Sequence, residues 1–447
     1  MKPQINYLKK FTPTQILVFG YLFVTLFGAL LLTLPLSSSQ HTRQSFLDAL
    51  FVATSGISTT GLTVVDIGSY YSLFGQIVLC CIFQIGGIGY MTFIIFLAYL
   101  LGLRTWLITE TVAKESLSGP NYRTLGRFLI LVVVVTGLLE LTGGLILALY
   151  WMREFSFSRA VYFGLFHSIS AFCTAGFSPF STSLMEYRTS LTVNLTITLL
   201  SLFGGIGFFV LYDVFEYLKR KDTPKKLSLH TKIVLIVTCF VIAVGTIVIF
   251  LSEKWESTTH VSEMLLYSIF QSVSASTTDG FNTVDIGSMG FASLTIIMFL
   301  MFVGASPGST GGGIKTSSLG VLGLFSWSYL KGRSDNISLF QRTIPTQSVL
   351  KAFNIALWFF TIILVDMAIL SMTEKGSYLQ ILFETISALA NTGLSMGITS
   401  NLSSIGKMVL IMSMFIGRIG LLTAGLFLIG KQKTLQLRYA EEDVFIG

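Results

Sequence analysis

Four stretches of this chain, 15–36, 128–150, 232–251 and 353–372, run for about twenty residues with almost nothing but apolar side chains. At 1.5 Å per helical residue, such a run matches a hydrocarbon core roughly 30 Å thick. No water is available there to satisfy a stray amide, so a spanning segment must close its hydrogen bonds internally, as a helix. The first run is too long for a cleavable signal peptide and has no small-residue cleavage site, which predicts a retained helix. Composition agrees: 52% of the 447 residues are hydrophobic and 11% are charged, against about 25% charged in a soluble domain. The expected fold class is an all-α polytopic membrane protein.

Charge placement sets the orientation. A net charge of +7 would suit nucleic acid if it lined one face, but the basic residues crowd alternate loops instead. One side collects twenty of the 29 Lys and Arg. These are Lys2, Lys9 and Lys10, then the loops at 104–127, 219–232 and 331–351, then Lys431, Lys433 and Arg438. The other side holds seven. The positive-inside rule then puts both termini in the cytoplasm of a cell with this protein in its plasma (inner) membrane, and demands an even number of crossings. No nucleic-acid partner is expected. The four cysteines lack metal-ligand spacing, and adjacent Cys80 and Cys81 make a poor disulfide; all four are expected to be small buried hydrophobes. The four histidines form no metal pattern.

The chain also repeats itself. Four short polar stretches each follow an apolar helix and a brief amphipathic segment: TSGISTTGL (54–62), ISAFCTAGF (169–177), VSASTTDGF (273–281) and ISALANTGL (386–394). They align without gaps on Gly61, Gly176, Gly280 and Gly393. Six residues before each glycine stands a serine (Ser55, Ser170, Ser274, Ser387), then a small residue. Two before it stand Thr59, Thr174, Thr278 and Asn391. Further on, Gly86, Gly204, Gly304 and Gly417 recur inside apolar helices. The brief segment of about 12 residues would span only ~18 Å, so it must enter and leave on one face. The expected architecture is four tandem units of helix, pore helix, filter loop and helix around a pseudo-fourfold pore, with eight full crossings. The predicted boundaries are 1–104, 105–222, 223–340 and 341–430, followed by a cytosolic tail, 431–447.

Irregular backbone at membrane depth is tolerated where protein covers it or water reaches it. Four such loops around one axis would bring the negative ends of four short helix dipoles to the centre. Glycine lets the backbone turn its carbonyls inward, and a ring of carbonyls can replace the hydration shell of a cation. The expected filter positions are Thr60, Gly61, Ala175, Gly176, Asp279, Gly280, Thr392 and Gly393. Thr59, Thr174 and Thr278 are expected to pin the loops rather than bind ions. Close packing of small residues is the rival explanation. It suits Gly86, Gly87, Gly89, Gly204, Gly205 and Gly207, but leaves the recurring serine and polar residue unexplained.

On these residues the chain resembles the Trk/Ktr/HKT superfamily of cation transporters over its whole length, and its size resembles the Ktr membrane subunits. The resemblance implies potassium in the filter, with sodium as a second transported or coupling ion. It implies no covalent cofactor on this chain. It also implies a homodimer on a cytosolic ring of nucleotide-binding regulatory subunits of RCK/KTN type, which would carry the nucleotide. Relatives with serine in the first loop favour sodium, and this chain has Gly61 there.

The third unit departs from the pattern. Its last helix is interrupted by GASPGSTGGGIKTS (304–317), a composition no ordinary helix survives. The other three units are expected to continue as helix here. A phosphate-binding loop is excluded by an extra residue before Lys315 and by the apolar helix, rather than a strand, that precedes it. The expected reading is an intramembrane loop at 304–316 under the filter. In the family resembled, that loop is a gate, here Gly304, Pro307, Gly308, Gly311, Gly312 and Gly313. Arg418, in an apolar segment where a charge costs at least ~2.5–3.5 kcal/mol, is expected to face the pore or the loop and bond loop carbonyls, the alternative being an arginine that snorkels to the cytoplasmic headgroups. Lys315 is open between the loop and the cytoplasmic interface. Glu140 and Asp366 are expected as internal hydrogen-bonding partners more than coupling-ion ligands. Asp66 and Asp285, five residues after a filter glycine, are expected at the outer mouth, where negative charge concentrates cations.

Two rivals stand beside the potassium pore. An alternating-access or sodium-selective carrier would use inverted repeats, whereas these units each cross an even number of times and run parallel. A membrane-embedded enzyme would need paired carboxylates or a metal cluster, and the helices carry neither.

Overall fold

The computed structural model describes residues 13–89, 122–219, 226–255, 259–332, 337–421 and 423–425. The N-terminal lysines, the basic loop around Arg104 and Lys114, and the tail 431–447 lie outside them. So do parts of the expected unit boundaries.

Among the described residues the elements are helical apart from one two-stranded hairpin, Ser338–Leu339 with Arg342–Thr343. A set of long helix, half-helix, loop and second helix recurs four times. The long helices are Pro13–Thr33, Tyr122–Trp151, Leu229–Ser252 and Thr346–Thr373. The half-helices are Phe46–Ile57, Phe157–Phe172, Val261–Thr277 and Tyr378–Leu389. The second helices begin at Leu73, Leu191, Phe291 and Ser404. Three helices are unbroken, long and apolar enough to cross a bilayer: Ile130–Trp151, Leu229–Ser252 and Thr346–Thr373.

Caps explain where several elements begin. Ser72, Ser190 and Ser403 each accept from a backbone amide three residues on, at 3.3, 3.4 and 3.1 Å, which satisfies a donor the helix cannot. Ser377 and Gln380 form a reciprocal capping box at the fourth half-helix.

The second helices of the second and fourth sets break as well as that of the third, which corrects the expectation that only the third does. Glycine with positive φ ends each apolar run: Gly89 (83°), Gly207 (99°), Gly304 (68°) and Gly420 (92°). At Gly207 the helix Leu191–Ile206 bends by 94° into Phe208–Lys219. Helix-compatible composition hid these breaks, because a single glycine in an apolar run costs only about 1 kcal/mol.

Burial runs from the centre outwards. The last turns of all four half-helices and the loops after them are buried almost throughout. Large apolar side chains such as Phe23, Leu138, Leu141, Phe240 and Trp358 are exposed on the long helices, as a lipid-facing surface requires. The cysteines depart from expectation here. All four are free, but Cys173 alone is buried, while Cys81 and Cys239 are exposed on helix surfaces.

Candidate functional site

The four loops share one backbone geometry. Thr59, Thr174, Thr278 and Asn391 sit in the left-handed region with φ of 49–57°, and the glycines two residues later have φ of 65–92°. Between them, the amides of Thr60, Ala175, Asp279 and Thr392 donate to the carbonyl of the serine five residues back, at 2.8, 2.8, 2.8 and 2.9 Å. The serine hydroxyls serve the far side of the turn. Ser170 and Ser274 donate to the carbonyls of Phe177 and Phe281 (2.9 and 2.6 Å), and Ser387 accepts from the Gly393 amide (3.0 Å). The serine carbonyl is thus a clasp across each loop, joined by the hydroxyl in the second, third and fourth, while the Ser55 hydroxyl is buried without a partner among the described residues.

The loops meet. A methyl group on Gly61 would press on the carbonyl oxygen of Ala175. On Gly176 it would press on that of Asp279, on Gly280 on that of Thr392, and on Gly393 on that of Thr60. First touches second, second third, third fourth and fourth first, so the ring closes. Only glycine fits, for the approach and for the positive φ together. The residues named from sequence as filter positions are therefore brought together at one place. The half-helices stop just before it, so the negative ends of their dipoles converge there.

Gly86, Gly204 and Gly417 do what close packing asks: each lets its helix lie against a half-helix terminus, at the carbonyls of Ile57, Phe172 and Leu389. Gly87 and Gly205 approach Cys173 and Thr277 of the neighbouring loops.

On the half-helix side of the ring lies the 304–316 loop. Thr59 Oγ1 donates to the Thr310 carbonyl (3.1 Å), Thr174 Oγ1 donates to Thr310 Oγ1 (3.0 Å), and the Gly312 amide donates to Thr278 Oγ1 (2.8 Å). The Ser306 and Thr310 amides donate to the carbonyls of Gly205 and Gly204, and the Gly308 carbonyl receives the Phe208 amide. The Pro307 carbonyl abuts Gly207, Gly312 lies on the Ala390 carbonyl, and Gly311 on that of Thr277. Gly304, Gly308 and Gly313 supply the positive φ values that turn the loop. Arg418 donates from its two terminal nitrogens to the carbonyls of Thr310 and Gly86. Lys315, left open by sequence, turns back and donates to the carbonyls of Gly311 (2.7 Å) and Gly312 (3.2 Å). The loop is thereby held by elements of all four sets.

The acids divide by place. Asp66 and Asp285 are exposed after their loops, and each caps a helical turn, accepting from Gly68 and Gly287 at 3.1 Å. Asp66 also accepts from Ser69 and Ser181. Asp279 is buried at the ring. Its Oδ2 is held by Ser201, and its Oδ1 has no partner. Glu140 accepts from Gln84 at 3.0 Å through both oxygens, and Asp366 accepts from Ser413 at 2.6 Å. Sequence reasoning passed over Thr310, which is one hydroxyl residue among several in its loop. It also passed over His167, Gln271 and Glu384, polar residues buried inside half-helices. Their equal distance of nine residues before a loop glycine was an available signal.

Spanning helices, four re-entrant half-helices and a closed ring of backbone carbonyls define a membrane protein built to pass a cation. The chain belongs to the TrkH family, described as "Cation transport protein", whose model matches residues 9–434. It is similar to "Ktr system potassium uptake protein B" of Bacillus subtilis (strain 168), with 38% identity over 98% of this chain and 97% of the relative. The protein of that name from Vibrio alginolyticus is 39% identical over 97% of this chain and 94% of its own length. "Potassium/sodium uptake protein NtpJ" of Enterococcus hirae is 32% identical over 100% and 99%. Among solved structures, "Crystal Structure of the Potassium Transporter TrkH from Vibrio parahaemolyticus" superposes with a TM-score of 0.68 at 22% identity, covering 92% of this chain and 85% of that one. That likeness speaks to fold. The family is one of transporters, so the membrane-enzyme alternative falls.

Proposed function

We propose that this protein is the pore-forming subunit of a potassium-uptake system. The observation that carries the reading is the cyclic contact of Gly61, Gly176, Gly280 and Gly393 with the carbonyls of Ala175, Asp279, Thr392 and Thr60. A cation shed of water would find oxygen dipoles on every side there, with four half-helix dipoles behind them. Asp66 and Asp285 add negative charge at the outer mouth, beyond their capping role.

The 304–316 loop is the gate in this reading. It lies across the inner side of the ring, fastened by Thr59, Thr174 and Thr278 from above and by Arg418 from the side, with Lys315 bonding the loop's own Gly311 and Gly312 carbonyls. Two cationic groups there also oppose a cation trying to pass. The repeat boundaries predicted from sequence, a cytoplasmic site for both termini, a second copy of the chain and a cytosolic nucleotide-binding ring belong to the same proposal. The two relatives named for a Ktr system support a multi-component assembly. Sodium as a coupling or second permeant ion draws support from the relative named for potassium and sodium.

Rubidium flux into proteoliposomes, competed by potassium or sodium, tests the proposal. The expected result is competition by potassium at concentrations where sodium has little effect. Flux indifferent to the two ions overturns it.

A further inference from the structure

Nine residues before each ring glycine, on the buried face of the half-helix, stand Val52, His167, Gln271 and Glu384. All four are fully buried. Three are polar, and each of these reaches past the ring to a hydroxyl on the outgoing strand of its own loop. His167 Nε2 lies 2.9 Å from Ser178 Oγ. Its Nδ1 faces the Phe163 carbonyl at 2.8 Å; since a carbonyl only accepts, Nδ1 carries the hydrogen. Gln271 Nε2 donates to Thr283 Oγ1 at 3.3 Å. Glu384 accepts from Ser395 through Oε1 and from Thr399 Oγ1 through Oε2 at 3.0 Å.

Three chemically different side chains thus make one contact at one register. Each ties the half-helix to the strand two or three residues beyond the glycine, while the serine carbonyl ties it to the residue before and, in the second and third loops, the serine hydroxyl ties it to the residue after. The ring carbonyls lie between these two attachments. In the first loop Val52 replaces the polar group and packs in an apolar cluster with Leu79 and Phe83, so that strand lacks the outer tie.

We infer that His167, Gln271 and Glu384 are positioning residues that brace three of the four ring strands from behind and set the ring's width, and hence its preference among cations. The inference rests on the ring being the filter. Each brace acts through the strand it holds, and none touches the transported ion. The first strand, without a brace, is the compliant quarter of the ring.

The test removes the strand-side partner, which leaves the half-helix untouched: Ser178→Ala, Thr283→Val and Ser395→Ala, singly and together. Each is read in proteoliposomes for KM and maximal rate of rubidium uptake and for the ratio of potassium to sodium competition. Glu384→Gln, which keeps an acceptor for Ser395, is the conservative control, and Gly393→Ser the control on the ring. A lost hydrogen bond of ordinary strength predicts a change of about fivefold in the ion ratio for each single variant. Maximal rate should hold within about twofold, and Glu384→Gln should stay near the parent. A merely structural role predicts less folded protein or a lower maximal rate at an unchanged ion ratio, and that result overturns the inference. If Gly393→Ser alters the ion ratio while the brace variants do not, the braces fail and the filter stands. If neither alters it, the filter reading fails and takes the braces with it.

Discussion

Replacing Arg418 by alanine tests the gate most directly, because the structure states what is lost. Two guanidinium nitrogens donate to the carbonyls of Thr310 and Gly86, joining the 304–316 loop through Arg418 to the helix Leu73–Ile88. A hydrogen bond from a charged donor contributes about 1.5–3 kcal/mol, and the one to Thr310 is the bond that opening the loop breaks. Taking the low end because water replaces part of the loss, about 1.5 kcal/mol corresponds to a factor of about 13 in the ratio of open to closed loop. A loop open about 1% of the time would then be open about a tenth of the time, and flux would rise by about tenfold. Removing the positive charge from the ion's path acts in the same direction. The assay is rubidium uptake by reconstituted protein, with size-exclusion behaviour and a melting curve to certify the fold. Arg418→Lys keeps the charge and loses the fork, so it should fall between parent and Arg418→Ala. A folded, monodisperse Arg418→Ala whose flux equals or falls below the parent's refutes the latch and leaves Arg418 a strut for Gly86.

Gly61→Ser places a side chain at φ 92° with its Cβ 2.6 Å from the Ala175 carbonyl, and strain of about 1–3 kcal/mol should cost most of the potassium preference; competition by sodium against rubidium measures it, and an unchanged ratio removes Gly61 from the filter. Deleting two or three residues within 308–313 should raise flux several-fold, since these residues carry bonds to Phe208, Gly204 and Thr278; a folded deletion with parental flux speaks against a gate. Glu374, outside the spanning helices, offers a pH test. Its partial burial pushes the carboxyl up, but donors from Ser403 outweigh that and hold it below its ordinary value. A carboxyl depressed on folding adds stability above its unfolded value, and that stability is lost as pH falls through the folded value. Melting curves should therefore show Glu374→Gln less stable than the parent near neutral pH, with the gap closing in acid; a gap independent of pH contradicts the assignment.

How much of this was legible in the chain depends on what each feature needs from tertiary structure. Membrane class and the four loops were legible because hydrocarbon admits few backbone states and because the serine and the glycine answer local demands. The serine clasp spans five residues, and the glycine supplies a left-handed turn. The breaks at Gly207 and Gly420 were not legible, since an apolar glycine reads equally as packing or as a hinge; at Gly207 the 94° bend distinguishes them. Thr310 was invisible for another reason. Its partners Thr59, Thr174 and Arg418 lie 251, 136 and 108 residues away, and no local pattern encodes such contacts. Glu140 and Asp366 read correctly as hydrogen-bonded acids because an unpaired charge in an apolar helix is costly enough to predict a partner, though not which one.

Near-fourfold symmetry makes the departures from it informative. A ring needs four similar loops, and the chain supplies them with the same dihedrals and the same clasp. One loop to close the inner side needs a single insertion, because four copies of 304–316 could not occupy one axis. The insertion sits in the third set, and the groups that hold it come from all four: Thr59, Thr174 and Gly204, Thr278, and Arg418. Three of these grips are side chains at the same position, two before the ring glycine, and in the fourth loop Asn391 turns instead to Thr60 and the Met414 carbonyl. The residues that hold the loop are thus part of the turn that shapes the ring. Moving the loop releases Thr59, Thr174 and Thr278 together, so on the proposed reading of ring as filter and loop as gate, ion occupancy and opening would be coupled reciprocally through those three turns.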